Sequence, residues 1–88
     1  MKAFQLDNPK IIYFENLERI PADQELEKLK KELEAAGCDI GAKKEAGLDD
    51  IYECKMKGME FEIIFSEGEA TIYAGKKETK DFLMKMFA

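Results

Sequence analysis

The chain predicts an α+β domain, a small antiparallel sheet with helices packed on one face, in the order β-β-α-β-β-β-α. Three observations carry this expectation. Two X-Gly dipeptides, Lys57-Gly58 and Glu67-Gly68, punctuate alternating apolar and polar runs between residues 50 and 75. Residues 22–36 repeat their apolar positions with the helical period, and a second helical stripe closes the chain after Gly75.

Residues 1–20 admit two readings. In the first, Asp7-Asn8-Pro9-Lys10 turns the chain and a hairpin pairs Leu6 with Ile11 and Phe4 with Tyr13. In the second, Asn8 caps a short helix with Pro9 in its first turn. The hairpin is preferred, because Ile11-Ile12-Tyr13-Phe14 is poor helix material and rich in strand formers.

Residues 22–36 put Ala22, Leu26, Leu29, Leu33 and Ala36 on one helical face and charged residues almost everywhere else. Asp23 and Glu25 near the start suit the positive end of the helix dipole, and Gly37 suits a left-handed C-terminal cap. Glu27–Lys31 and Glu25–Lys28 have the spacing for weak surface pairs. Residues 38–48 hold two glycines and no period, so a flexible loop is expected there, with Cys38 exposed.

The two X-Gly turns fix a register. The first sets Met56 against Met59, Cys54 against Phe61 and Tyr52 against Ile63; the second sets Ser66 against Glu69, Phe65 against Ala70, Ile63 against Ile72 and Phe61 against Ala74. Both place the large apolar residues on one side of a three-stranded meander. The other side shows Ile51, Glu53, Lys55, Glu60, Glu62, Ile64, Thr71 and Tyr73, with Lys55 opposite Glu60 as a favourable pair. In the last segment Thr79, Phe82, Leu83, Met86 and Phe87 make one stripe, with Met84 about 60° outside it on the helical wheel.

Eighty-eight residues make one domain, 1–88, with no room for a second core. The net charge is −5, and residues 22–69 hold 14 acidic against 7 basic side chains, an acidic body that disfavours general nucleic-acid binding. No stretch approaches a membrane span and the N-terminus lacks a signal peptide's apolar core, so the cytoplasm and no membrane association are expected. Cys38 and Cys54 are then free thiols, with Cys54 a small buried hydrophobe.

Catalysis has little to stand on. There is no histidine, which removes the commonest general base and the commonest metal ligand together. Ser66 is the only serine and has no base nearby in the sequence. Asp49, Asp50 and Glu53 read as the solvated entry to a strand, because Asp50 and Glu53 fall on opposite faces. Asp39-Ile40-Gly41-Ala42-Lys43 lacks the alternating oxygen ligands of a calcium loop. No cofactor or metal site is expected.

Lys76-Lys77-Glu78-Thr79-Lys80 opens the last helix after a helix–three strands order. That order and the KKxxK string resemble the double-stranded-RNA-binding domain, and the resemblance implies phosphate contacts by Lys76, Lys77 and Lys80. The tight turn at Lys57-Gly58, the acidic helix 22–36 and the Phe-Leu-Met run of the last helix depart from that family's pattern. Membership is not inferred.

The function the sequence favours is a small acidic cytosolic protein-binding module, of inhibitor, immunity or adaptor type, acting by surface complementarity without catalysis. Ile64 and Tyr73 are the expected anchors, and Glu60 and Glu62 select a basic protein partner. The alternative for that face is a structural one, with residues 1–20 covering Ile64 and Tyr73. An RNA-binding module using Lys76, Lys77 and Lys80 ranks second and an enzyme without histidine third. A homodimer stays open.

Overall fold

Both X-Gly dipeptides form the turns their spacing asks for. Lys57 and Gly58 have φ of 51° and 77°, and Glu67 and Gly68 have 52° and 75°. Positive φ at both central residues is the type I′ geometry, whose twist matches that of the strands it joins. A computed structural model describes residues 1–88. Its elements are β1 (Lys2–Phe4), β2 (Ile11–Glu15), α1 (Ala22–Ala35), β3 (Asp39–Ala46), β4 (Asp49–Met56), β5 (Met59–Ser66), β6 (Glu69–Tyr73) and α2 (Lys77–Met86). The six strands form one antiparallel sheet in the order β1-β2-β6-β5-β4-β3.

The expected register holds through the meander. Cys54 lies opposite Phe61, Tyr52 opposite Ile63, Ile63 opposite Ile72 and Phe65 opposite Ala70. Ala74 falls just past the end of β6, where its N–H donates to the Lys10 carbonyl at 2.8 Å. At the N-terminus the hairpin reading is the right one: Phe4 pairs with Tyr13. The expected Leu6–Ile11 pair does not form, because Leu6 lies in the exposed connection, which Gln5 ties down by donating to the Pro9 and Ile11 carbonyls.

Residues 38–48 are a correction. The expected loop is strand β3, so the meander has four strands rather than three. Gly47 takes φ of 65° in the two-residue Gly47-Leu48 turn, and Ala46 faces Asp49 across it. The pairing then slips by one residue between Ile40 and Lys43, so that Gly41 and Ala42 together oppose Glu53. At this bulge the two backbones come close: a Cβ on Gly41 would sit 3.1 Å from the Glu53 carbonyl oxygen. The strand is a solvated edge, which is why it shows no apolar alternation, and its lysines and bulge discourage pairing with another chain.

One face of the sheet carries the core. Ile12, Phe14, Tyr52, Cys54, Met56, Phe61, Ile63, Ala70 and Ile72 are all buried there under the two helices. Helix α1 supplies Leu26, Leu29 and Leu33, and α2 supplies Thr79 and Leu83. Phe87, just past α2, meets Phe14 edge-on at 5.0 Å. The end of α1 is a Schellman cap: the Cys38 N–H donates to the Leu33 carbonyl and the Gly37 N–H to Glu34, with Gly37 at φ of 92°.

That cap also corrects the expected exposure of Cys38. It follows the cap glycine and is turned into the core against Leu33, where it is 6% exposed. The expected surface pairs of α1 are likewise replaced. Glu25 is buried, Lys28 bridges to Glu18 at 3.3 Å, and Glu27 pairs with Lys30 at 3.5 Å.

Candidate functional site: the open sheet face

The N-terminal hairpin does not cover the outer side of the meander. It extends the sheet edgewise, with Ile11 opposite Tyr73 and Ile12 opposite Ile72. Both helices lie on the core face, so the second face of a six-stranded sheet is left open. Strand neighbours alternate sides, and directly opposed residues share one, so the registers define rows across this open face.

One row runs Glu53–Glu62–Tyr73–Ile11. The next runs Lys44–Ile51–Ile64–Thr71. Tyr13, two residues along β2 from Ile11, stacks on Phe4 with ring centroids 5.6 Å apart and continues the apolar surface. Ile11, Tyr13, Ile51, Ile64, Thr71 and Tyr73 are all half-buried.

The expected partner-binding residues Glu60, Glu62, Ile64 and Tyr73 do share this face, on β5 and β6. A groove of about 650 Å³ opens over it, bordered by Asp39, Glu53, Lys55, Glu60, Glu62 and Tyr73. Lys55 lies opposite Glu60, but the two form no ion pair. Glu53 is held by Lys44 of β3 at 2.6 Å. Glu62 has no cationic partner and directly faces Glu53. Like charges set directly across a ladder destabilise it.

Sequence reasoning missed the contributions of Asp39, Lys44, Ile11 and Tyr13. Those of β3 were hidden because its residues look like a loop; the Gly47-Leu48 pair, a Gly-X turn, is the signal that marks the hairpin. Those of β2 depend on an edge pairing between segments some sixty residues apart, which no local pattern records.

The lysines of the KKxxK string lie elsewhere, at the start of α2. Lys76 and Lys77 are exposed. Asp81 binds Lys77 at 2.6 Å and Lys80 at 2.8 Å, and these bonds hold its carboxyl at about 2. A single carboxylate therefore engages two of the three cations and offsets one of their charges.

Other titratable groups are perturbed without converging on a reactive site. Burial pushes Cys54 up to about 12, with the neighbouring Cys38 adding to it, and burial likewise raises Cys38. The two thiols are free and buried, Cys38 donating to the Asp39 carbonyl at 3.6 Å and Cys54 to the Tyr52 carbonyl at 3.5 Å, an environment that disfavours the reactive thiolate. Glu25 is raised by burial against a backbone hydrogen bond from Ala70. It borders a hollow of about 320 Å³ between the end of β2 and the start of α1. No group of three or more Cys, Asp or Glu side chains is arranged to hold a metal ion. No helix is long and apolar enough to cross a membrane.

Comparison with known protein families, curated proteins and solved structures returned no match.

Proposed function

We propose that this protein is a small acidic protein-binding module that works by surface complementarity and without catalysis, as an inhibitor, immunity-type or adaptor protein does. The observation that carries the reading is the open sheet face. Half-buried Tyr73 lines a groove bordered by carboxylates, and half-buried Ile64 lies in the next row of the same face with Ile51 and Thr71, while Ile11 stands opposite Tyr73. Aliphatic and aromatic anchors ringed by charge are the usual centre of a small interface. The absence of histidine and the burial of both cysteines weigh on the same side. The RNA reading loses ground because Asp81 engages Lys77 and Lys80.

The test is capture of partners from the native host under nuclease treatment, with the wild-type protein and with Tyr73→Ala as baits. A protein retained by the first and lost by the second, with Tyr73→Ala still fully folded at the assay temperature, bears the reading out. Equal retention by both baits, or recovery of nucleic acid alone, defeats it.

A further inference from the structure

Resting on that reading, we infer that the open face takes a basic segment of a partner protein, seating an arginine or lysine side chain between the Glu62 carboxylate and the Tyr73 ring. Four carboxylates (Asp39, Glu53, Glu60 and Glu62) border the groove against the single ammonium of Lys55. Their states differ. Glu53 is already bonded to Lys44 at 2.6 Å. Glu60 and Glu62 have no ion pair, although Lys55 is directly opposite Glu60.

Glu62 is the telling one. It is half-buried, so its charge is partly desolvated, and its directly opposed neighbours are a second glutamate and an aromatic ring. A like-charge pair in the middle of a sheet lowers stability, and a glutamine there would avoid it. A cation arriving in the groove answers the Glu62 carboxylate, which Lys44 does not pair, and the adjacent Tyr73 face is the surface over which a guanidinium or ammonium is attracted. The neighbouring row of Ile51, Ile64 and Thr71 gives apolar side chains of the same segment a place to lie. Nucleic acid is the wrong charge for this groove. A second copy of the chain would bring the same acidic face against itself.

The probe is a ten-residue peptide alternating arginine and leucine, with its glutamate–leucine counterpart, titrated into isotope-labelled protein at low and physiological salt. The arginine peptide should shift the amides of Glu62, Ile64 and Tyr73 and bind at least about tenfold tighter than the glutamate peptide. Its affinity should fall several-fold as salt rises, because exposed charge attraction is screened. Glu62→Gln should weaken binding roughly three- to tenfold while raising the melting temperature by about 1–5 °C, since it removes the like-charge pair. Glu34→Gln, which removes the same charge from the exposed side of α1, should change neither.

Equal binding of the two peptides, shifts confined to other surfaces, or unchanged binding by Glu62→Gln would overturn the cation seat. So would a lowered melting temperature for Glu62→Gln, which would make Glu62 structural. Dimerisation detected by sedimentation and blocked by Tyr73→Ala would assign the face to a second copy instead. The two proposals fail separately. A host protein lost by Tyr73→Ala but indifferent to salt and to Glu62→Gln would leave the binding face standing and remove its cation preference.

Discussion

Phe61 tests the two-faced sheet most directly. It lies on β5, hydrogen-bonded on both sides by β4 and β6, with its ring on the core face and 4% exposed. Its cross-strand neighbour is the small Cys54, and Ala74 lies in register beyond the end of β6, so no large side chain in its row can swing in to fill the space left by truncation. Phe61→Ala should therefore cost roughly 3–5 kcal/mol, the range for a buried aromatic whose site collapses poorly. A chain of 88 residues has a total stability of about 4–13 kcal/mol at ordinary values per residue, so the loss is roughly a quarter of it or more. With no tryptophan to follow, the assay is urea unfolding by far-ultraviolet circular dichroism. At a slope of about 1–3 kcal/mol/M the midpoint should fall by at least about 1 M. Ile64→Ala, on the open face of the same strand, should cost roughly 1 kcal/mol, because a half-exposed side chain gives up less burial. A loss below about 1 kcal/mol for Phe61→Ala, or equal losses for both variants, would refute the assignment of a single core face.

Glu25→Gln should raise the melting temperature at pH 7. Burial raises the folded pKa of Glu25 above its ordinary 4.5, so its contribution to stability is full below that value and is lost as pH rises through the folded pKa. The variant's advantage should shrink as the pH is lowered to 4 and below, and a pH-independent difference in thermal scans would contradict this. Glu67→Asn should stabilise the protein by about 0.5 kcal/mol, because Glu67 holds φ of 52° in a type I′ turn and asparagine before glycine suits it better; a loss of stability in the same urea titration would count against the turn assignment. Both thiols should resist iodoacetamide at pH 7.5 in the native protein and react promptly in guanidinium, burial having raised both above ordinary thiols. Rapid native labelling of Cys38 would put it back on the surface.

Local chemistry determined the parts of this fold that need no distant partner. The X-Gly pairs at 57–58 and 67–68 set two turns, and the turns set the register that sorts residues 50–74 onto two faces. The period of 22–36 and Gly37 set a helix and its cap. What the sequence left open are matters of neighbourhood. Strand β3 exists because β4 offers an unpaired edge, and its own solvated residues carry no alternation that would announce it. Cys38 is buried because the cap turns the chain inward, a direction that its position after a glycine does not encode. The open face depended on where the N-terminal hairpin docks. Backbone hydrogen bonding carries no sequence label, so only the tertiary structure decided that β2 joins the edge of β6 and leaves Glu62, Ile64 and Tyr73 uncovered. The electrostatics of that face belong to the same class. Lys44 reaches Glu53 across β3 and β4, while Lys55 leaves Glu60 unpaired, because a direct cross-strand position fixes nearness and not the rotamers that close an ion pair.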